Sequence, residues 1–488
     1  MPQQRATRAS TLLASALLLA QACSVPPTDL PAQAAPPDIL LVVLDTVRAD
    51  HTPSYGYATN TTAQLSAIAE AGVTFEDTTS PSSWTWPTHA SLFTGVMPWE
   101  HGAHFSPEPS DEELSTGAVP FLPMRADLPT LAERLSEAGY RTVAVSTNSL
   151  LDPSLGLTRG FHQATVHDTD GKTVEAVQAI LEAAGDQPLF LMVNLNGAHA
   201  PWQVTPAPWS ERHAAQLQPD TAPAWVRPYL LDSTLGVDLY RSPGTGPSAI
   251  YHYMAGRLTI PPDWLALLGD LYDGQLVAVD LALRSVVVAW QNKRRHFVMA
   301  VTADHGEYFG EHGMLEHGHT LYSQVTQVPL VLAAPGRLPA GLRIPEPVQM
   351  HDLHPTLLEL AGLEPAPPCS LLRVIEGQPR CGPVMAAAWR CWSVAAFMDG
   401  PFDQNWNLYR EGDDALLLAG DGRRELYDLG TDPEMLLDLA TLQPELADRL
   451  TASALEAIPA QEQHPPQSPL QVDPAILERL EALGYVKD

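Results

Sequence analysis

The sequence predicts an α/β protein with a doubly wound, mainly parallel sheet flanked by helices, followed by a small antiparallel α+β subdomain. Three observations predict this class. The chain has 488 residues, enough for one large domain and a smaller one. Short apolar runs rich in β-branched residues alternate with helical patterns, as is typical of parallel sheets. Near the C-terminal end this alternation gives way to short strands and turns.

Four apolar runs are the expected central strands. They span residues 38–44, 141–145, 188–193 and 297–301. Continuous apolar runs of this length suit parallel strands that are buried on both faces. Right-handed crossovers should connect them. The helices expected between them cover residues 62–71, 128–138, 173–184 and 264–290.

Polar side chains follow each of these runs. They are Asp45 after the first run, Asn148 after the second, His199 after the third, and Asp304 and His305 after the fourth. Ligands of doubly wound sheets bind at the carboxyl ends of the strands. We therefore expect these five residues to converge at one edge of the sheet.

Two regions lie outside the alternation. Residues 203–262 form a long connection rich in Pro, Trp and Tyr, which suits either a lid over the pocket or a surface for a partner. Residues 383–488 are expected to form the C-terminal subdomain, after a catalytic domain at 38–382. Its expected elements are strands at 392–398, 415–418 and 425–429, helices at 445–458 and 474–483, and a proline-rich linker at 459–471.

The N-terminus has the features of an export signal. A basic start and a short apolar run precede small residues and Cys23. Residues 1–22 are the predicted signal peptide, and the Pro- and Ala-rich residues 23–37 a tether. We expect a periplasmic or cell-surface protein, either secreted or held at the membrane as a lipoprotein through lipidated Cys23. One disulfide is expected in such a compartment, with Cys369–Cys381 a candidate pair.

The net charge restricts the partners. The 27 basic and 57 acidic residues give a formal net charge of −30. This field repels nucleic acid and other polyanions, which argues against them as partners. The simplest reason for the charge is a soluble acidic surface. An anionic substrate would need a strong local positive centre, such as a metal ion. The oligomeric state is left open.

Residues 82–95 predict a helix with a hydroxyl group at its mouth. Pro87 suits the first turn, where its missing N–H is not needed, and Gly95 suits the end. Thr85 should lie just ahead of the helix N-terminus, where free N–H groups and the helix dipole favour an anion. The position suits an activated nucleophile, and it equally suits an ordinary N-capping residue.

This segment resembles the signature of the sulfatase family, a branch of the alkaline-phosphatase superfamily. In that signature a Cys or Ser, any residue, Pro, a small hydroxyl residue and Arg begin a helix that ends in Thr-Gly. Thr85-Trp86-Pro87-Thr88-His89 falls on the five positions, and Thr94-Gly95 on the end. Further blocks resemble the family in order along the chain: Leu44-Asp45-Thr46, Gly139-Tyr140-Arg141-Thr142, His199-Ala200-Pro201, residues 302–307 and 310–313, Leu321-Tyr322 and residues 425–429.

The resemblance implies the family's fold and a metal-dependent ester hydrolase, but four positions depart from the pattern. Sulfatases depend on formylglycine, made from Cys or Ser, and Thr85 cannot give that aldehyde because its β-carbon carries a methyl group. His89 replaces the signature Arg, Thr46 the second Asp of the metal pair, and Asn148 the expected Lys. Threonine nucleophiles occur in relatives that act on phosphate esters. The resemblance therefore implies the fold more strongly than sulfatase chemistry.

One divalent metal ion is the expected cofactor. Two carboxylates and an imidazole suit Mn²⁺ or Zn²⁺ better than Ca²⁺, which is the third alternative. Two-zinc relatives carry an extra Asp and His four positions apart, and residues 280–296 lack that spacing. The candidate ligands lie at strand ends or at the helix mouth: Asp45, Thr46, Thr85, Asp304 and His305.

The expected mechanism is attack of Thr85 on a phosphoryl centre. The metal and Asn148 would stabilise the phosphoryl oxygens, and His89 is a second candidate substrate contact. His199 or His319 would protonate the leaving oxygen. The candidate proton-transfer residues, each of which could equally be an ordinary neutral histidine, are His199, His317 and His319.

We therefore expect an exported enzyme that hydrolyses an anionic phosphate ester or transfers its phosphoryl group. A sulfuric ester hydrolase similar to arylsulfatases is the enzymatic alternative. A non-catalytic binding protein on a degenerate sulfatase scaffold, with residues 203–262 as its interaction surface, is the alternative from another class. The paired Asp45 and Asp304 beside His305 argue against it, because an inactive site has no need of them.

Overall fold

The structure is a computed structural model that describes residues 35–106, 119–231, 234–239, 248–366, 369–391, 401–458 and 469–482. Residues 37–488 belong to one compact unit. The predicted signal peptide and most of the tether lie outside the described residues. Within the described ranges, no helix has both the length and the apolar character needed to cross a membrane.

The elements alternate between strand and helix over most of the chain. The strands are β1 Asp38–Leu44, β2 Val73–Phe75, β3 Thr78–Thr79, β4 Arg141–Ser146, β5 Gln163–Val166, β6 Leu189–Leu195, β7 Trp202–Gln203, β8 Gly236–Val237, β9 Phe297–Ala303, β10 Tyr308–Phe309, β11 Leu315–Glu316, β12 Leu330–Ala333, β13 Leu342–Ile344, β14 Val348–Gln349, β15 Val384–Ala388, β16 Trp406–Glu411, β17 Asp414–Ala419 and β18 Arg424–Asp428. The helices are α1 Ala63–Ala71, α2 Thr85–Thr94, α3 Pro98–His101, α4 Leu131–Glu137, α5 Asp170–Ala183, α6 Pro208–Glu211, α7 Ala249–Met254, α8 Pro262–Lys293, α9 Ser323–Thr326, α10 Leu353–Leu360, α11 Leu371–Ile375, α12 Pro444–Ala457 and α13 Pro474–Ala482.

An eight-stranded sheet lies at the centre, with the strand order β13-β2-β12-β9-β1-β6-β4-β5. Strand β1 runs parallel to both neighbours, so that Leu41 is opposite Met192 on β6 and Ala300 on β9. These strands are almost wholly buried, as their continuous apolar runs require. Among the described strands of this sheet, only β12 runs antiparallel to its neighbours. The predicted mainly parallel sheet is confirmed.

Two groups of helices flank the sheet. Helices α1, α5 and α6 pack against the long helix α8, and helix α10 packs against α2 and α4. All four predicted crossover helices are present, with shifted ends. Helix α4 begins at 131 instead of 128, because Thr130 and Glu133 form a capping box: the Glu133 N–H donates to Thr130 Oγ1 at 3.1 Å, and the Thr130 N–H to Glu133 Oε2 at 2.8 Å.

A separate antiparallel sheet, β15-β16-β17-β18, forms the C-terminal part, with α12 packed against it. The predicted strands at 415–418 and 425–429 correspond to β17 and β18. The expected strand at 392–398 lies outside the described residues. Strands β15 and β16 were not predicted. The exact domain boundary at residue 382 stays a prediction.

Residues 203–262 contain the short strand pair β7–β8, of which β7 begins one residue earlier, and the short helices α6 and α7. Their role as a lid or as a partner surface stays a prediction. Cys369 and Cys381 are free thiols in the structure, so the candidate disulfide between them is not formed. They are nevertheless neighbours, since the backbone N–H of Cys381 donates to Cys369 Sγ at 3.1 Å.

An ion pair joins the C-terminal sheet to the segment between β2 and β3. Arg410, only 2% exposed on β16, donates from Nη1 and Nη2 to the two carboxylate oxygens of Asp77 at 2.8 and 2.5 Å. We expect Arg410→Met to lower the free energy of unfolding by about 3 kcal/mol, because it leaves the partly buried Asp77 carboxylate without its cationic partner and with only the Gln327 amide as a side-chain donor. Urea denaturation measures this change.

The matched control is Lys172→Ala, which breaks the exposed pair between Lys172 and Asp168. That variant should stay within about 1 kcal/mol of the wild type. Equal small effects in both variants would show that the Arg410–Asp77 pair does not hold the C-terminal sheet in place.

Candidate active site

Asp45 lies at the carboxyl end of β1 and is fully buried. Its Oδ2 accepts hydrogen bonds from Asn148 Nδ2 at 2.8 Å and from Asn194 Nδ2 at 3.5 Å. Its Oδ1 has no hydrogen-bond partner in the described part of the chain. One oxygen is therefore fixed by amide groups at the ends of β4 and β6, and the other is available to a ligand.

Asp304 occupies the equivalent place after β9, the other neighbour of β1, and is also fully buried. Its Oδ1 accepts from the backbone N–H groups of Thr46 at 3.2 Å and His305 at 2.9 Å. Its Oδ2 has no hydrogen-bond partner among the described residues. The two carboxylates thus present one unsatisfied oxygen each.

His305 completes this group. Its Nδ1 lies 3.0 Å from the carbonyl oxygen of Gly306 and donates its hydrogen there, so Nε2 carries the lone pair. Nε2 is 3.5 Å from Asp304 Oδ2 and 4.0 Å from Asp45 Oδ1. One ligand atom from each of the three residues lies within 4.8 Å of the others. Two orphaned carboxylate oxygens and a neutral imidazole nitrogen fit a divalent transition metal ion.

The pKa shifts of Asp45, Asp304 and His305 also fit a bound cation. Burial raises the pKa of Asp304 well above its usual range, and the nearby charge of Asp45 adds to the shift. Burial also raises the pKa of Asp45, and it lowers the pKa of His305 well below its usual value. All three shifts disfavour charged side chains. A bound cation reverses the preference of the carboxyl groups, because it stabilises their ionised forms.

Thr85 lies beside this group at the positive end of α2. Its Oγ1 is 3.3 Å from His305 Nε2, and Asn148 Nδ2 donates to it at 3.4 Å. The helix begins at Thr85 itself, one position earlier than expected, and ends at Gly95 with a φ of 74°. The amide of Asn148 spans Asp45 and Thr85, so in this structure it orients the hydroxyl. Its contact with substrate stays a prediction.

Two candidate residues lie behind the reacting groups. The Thr46 hydroxyl donates to the backbone carbonyl of Asp45 at 2.7 Å. His89 is fully buried, with Nδ1 3.1 Å from the Thr85 carbonyl oxygen and 3.7 Å from Asp304 Oδ2. Burial lowers the pKa of His89 to about 4. The structure thus shows both as supports of the carboxylates and the nucleophile, and their roles as metal ligand and substrate contact stay predictions.

Of the three candidate proton-transfer histidines, two lie close to His305. The ring of His317 is 4.3 Å from that of His305 and 5.1 Å from that of His199, measured between centroids. His199 Nδ1 is 2.7 Å from the carbonyl oxygen of Ala200, which directs Nε2 away from its own backbone. His319 packs on Phe402 instead, with 5.7 Å between ring centroids. The structure therefore brings His199 and His317 to the group around His305.

Two further residues of this site have no role among the sequence-based predictions. Glu307 is fully buried, and its Oε1 lies 3.1 Å from His317 Nδ1. Burial raises the pKa of Glu307 well above its usual range. Asn194, which contacts Asp45, was visible as the one amide side chain inside the apolar strand β6. Glu307 was visible only as part of the block at 302–307, where nothing distinguished it from a loop residue.

Comparison with known proteins identifies the family to which this chain belongs. A family model described as Sulfatase matches residues 37–363. The chain belongs to the sulfatase family. This membership confirms the predicted superfamily, the alkaline-phosphatase superfamily, and the predicted enzyme class, a hydrolase of ester bonds.

Individual relatives of this sulfatase-family chain are distant. A sulfatase of Formosa agariphila is 24% identical over 375 residues, which cover 67% of this chain and 70% of the relative. The phosphonate monoester hydrolase of Agrobacterium radiobacter superimposes with a TM-score of 0.65 at 18% identity, covering 86% of this chain and 95% of that one. A protein solved in complex with its substrate D-glucosamine-2-N,6-O-disulfate gives a TM-score of 0.66 at 17% identity, covering 88% and 100%. At these identities the solved structures show the fold alone.

The buried carboxylates give a prediction for metal binding. In metal-free protein, Asp304→Asn should raise the melting temperature, because it removes one of two buried like charges. The gain should be absent below about pH 4, where the unfolded Asp is also protonated, and should grow as the pH rises towards the elevated pKa of the folded state. Thermal unfolding after chelation, followed over pH, measures it.

Adding Mn²⁺ should then stabilise the wild type, by about 2.7 kcal/mol at a concentration of about 100 Kd, and should leave Asp304→Asn unchanged. Asp280→Asn is the control, because this buried carboxylate caps α1 through the N–H groups of Gln64 and Leu65. It should keep the Mn²⁺ shift. A full Mn²⁺ shift in Asp304→Asn would exclude Asp304 as a ligand.

Proposed function

We propose that this sulfatase-family hydrolase is a metal-dependent phosphoesterase whose nucleophile is Thr85. The observation that carries the proposal is the position of the Thr85 hydroxyl, 3.3 Å from His305 Nε2 and beside the unsatisfied oxygens of two buried carboxylates. Thr85 also falls on the signature position that resembles the modified Cys or Ser of sulfatases. An ordinary capping threonine needs none of these neighbours.

The donor set fits one divalent ion, held by Asp45, Asp304 and His305 together with the Thr85 oxygen. Mn²⁺ and Zn²⁺ suit this mixture of oxygen and nitrogen ligands better than Ca²⁺ does. When bound, such an ion would supply Lewis acidity, which lowers the pKa of a nearby hydroxyl group and offsets negative charge on the substrate.

The remaining steps, which are orientation of the nucleophile and transfer of protons, are proposed for side chains of this protein. Asn148 and the dipole of α2 hold the Thr85 oxygen towards the phosphorus. With its pKa lowered by the bound ion, the Thr85 hydroxyl would give its proton to solvent, and as the bond from Thr85 Oγ1 to phosphorus forms, the bond from phosphorus to the leaving oxygen breaks. His199, when protonated at Nε2, gives its proton to that oxygen, and its Nδ1 bond to the Ala200 carbonyl fixes the ring for this transfer. Water, or an acceptor alcohol in a transferase, then gives a proton to His199 and attacks phosphorus. The bond from phosphorus to Thr85 Oγ1 breaks, and the Thr85 oxygen regains a proton from solvent.

Phosphate esters are favoured over sulfate esters because of the methyl group on the Thr85 β-carbon. It prevents the formation of the aldehyde on which sulfatases depend, whereas a threonine hydroxyl can attack phosphorus directly. Sulfuric ester hydrolysis is the second candidate, favoured by the curated relative named as a sulfatase. The relatives named as ester hydrolases and the grouping of Asp45, Asp304 and His305 argue against the binding-protein alternative.

Replacement of the nucleophile tests the mechanism. Thr85→Ala should lower turnover of 4-nitrophenyl phosphate about 10³-fold or more, because the covalent route is lost. Mass spectrometry of acid-quenched wild-type enzyme should find phosphate on the peptide that contains Thr85. The control is Thr94→Ala, which removes a buried hydroxyl of the same helix that donates to the Ala90 carbonyl. It should keep turnover near the wild-type level.

The same assay separates the two ester classes. Wild-type enzyme with Mn²⁺, Zn²⁺ or Ca²⁺ is given 4-nitrophenyl phosphate, bis(4-nitrophenyl) phosphate and 4-nitrophenyl sulfate in turn. Faster turnover of the sulfate would establish the sulfuric ester alternative. Wild-type rates in Thr85→Ala on every substrate would show that this hydroxyl is not the nucleophile.

We also propose export to the periplasm or cell surface with a lipid anchor on Cys23. The support is the basic and apolar N-terminal segment and the small residues before Cys23. Cys23→Ser should move the protein from the membrane fraction to the soluble fraction of cells that express the full chain, as followed by immunoblotting. A wild-type protein that is already soluble after signal cleavage would favour plain secretion.

A further inference from the structure

A cavity of about 500 Å³ lies beside the candidate reaction centre, over the carboxyl ends of β4, β5 and β6. His199, the proposed proton donor, lines one side of it. Ser149, which follows Asn148, lines another. Because the leaving oxygen must approach His199, a leaving group larger than a few atoms extends from the reaction centre into this cavity.

The cavity is lined mainly by polar side chains, among them Ser149, Gln203 and Gln275. Hydroxyl and amide groups of this kind both donate and accept hydrogen bonds. The lining therefore suits a bound molecule that carries hydroxyl groups.

Arg479 is the one lysine or arginine among the described residues that line the cavity. Within the described ranges its guanidinium makes no hydrogen bond or ion pair, and its charge contributes less than Lys172 does to the lowered pKa of Asp168. It lies on α13, which packs against the turn Ser149–Leu151 and is anchored by the fully buried Leu480. The C-terminal helix thus carries a cationic group to the wall of the cavity that His199 also lines.

The acidic groups that line the cavity have other partners. Asp168 pairs with Lys172 at 2.6 Å. Asp170 accepts from Thr147 Oγ1 at 2.8 Å and from the N–H groups of Asn196 and Gly197 at 3.0 and 3.1 Å. Neither carboxylate forms a direct ion pair with Arg479, so its guanidinium can pair with an anionic group that enters the cavity.

We propose that this cavity binds the leaving group of the substrate and that Arg479 binds a second anionic substituent on it. Resting on the proposed function, this assignment adds a substrate class: esters of a hydroxyl-bearing alcohol that itself carries a carboxylate, phosphate or sulfate. Arg479 is a specificity-determining residue, since it selects the leaving group without touching the reacting atoms.

The kinetic test compares 4-nitrophenyl phosphate with 3-carboxy-4-nitrophenyl phosphate, which carries one added negative charge on its leaving group. The wild-type full-length enzyme should prefer the carboxylated ester in kcat/KM. Arg479→Gln should lower kcat/KM for that ester about 10- to 100-fold, because an ionic hydrogen bond is lost, and should leave the uncharged leaving group unaffected. Arg479→Lys should retain part of the preference.

The matched control is Arg373→Gln, which makes the same change in charge at an exposed arginine of α11 that does not line the cavity. It should keep the wild-type preference between the two esters. An equal loss of preference in Arg373→Gln and Arg479→Gln would mean that the general field of the protein decides, and it would overturn the assignment to Arg479.

A binding measurement keeps this test separate from the proposed chemistry. Isothermal titration of Thr85→Ala protein with 3-carboxy-4-nitrophenol and with 4-nitrophenol requires no turnover. Tighter binding of the carboxylated phenol, lost in the double variant with Arg479→Gln, would support the subsite even if Thr85 proved not to be the nucleophile. Equal binding of the two phenols, or a preference that survives Arg479→Gln, would overturn it.

Discussion

The side-by-side burial of two carboxylates, those of Asp45 and Asp304, is the constraint on which the rest of the site depends. One ligand oxygen of each carboxylate lies within 4.8 Å of the other. Two unit charges at a separation of about 4 Å repel by about 4 kcal/mol at an effective dielectric constant near 20, and burial adds a desolvation cost to each. The amide and backbone donors around the pair satisfy only one oxygen of each carboxylate. The protein therefore leaves the two remaining oxygens for something positive, and the lone pair of His305 faces the same place.

The fold creates this pair through strand register. Strands β1 and β9 are parallel neighbours with Leu44 opposite Ala303, so the residue after each strand arrives at the same edge. The backbone then turns sharply at Thr46, which has a φ of 58°, a conformation uncommon outside glycine. Tyr272 on α8 holds this turn, because its hydroxyl donates to the Thr46 carbonyl at 2.8 Å and accepts from the Arg48 N–H at 2.9 Å. The geometry of the site thus depends on the sheet and on one long helix behind it.

The same register explains what the sequence could and could not predict. The convergence of Asp45, Asn148 and Asp304 was predictable, because parallel strands end at a common edge whatever their separation along the chain. Their roles in catalysis remain predictions, since geometry alone does not assign them. Strand β15 was missed because Val384–Ala388 is mostly alanine and carries no β-strand pattern. Glu307 and Arg479 were missed for another reason: their neighbours are set by the folding of loops and by the docking of a terminal helix, which no local pattern encodes.

The charge of the whole chain gives these local contacts their importance. A formal net charge of −30 opposes the approach of any anion, although salt limits the reach of that field to roughly 8 Å at physiological ionic strength. On the assignments proposed above, attraction comes from groups in direct contact with the substrate: a cation at Asp45, Asp304 and His305, and Arg479 in the cavity that His199 lines. Groups of this kind act mainly after the encounter, by slowing dissociation of the bound molecule. On these assignments, discrimination between anionic esters arises inside the cavity, and the acidic surface lowers the encounter rate of all of them alike.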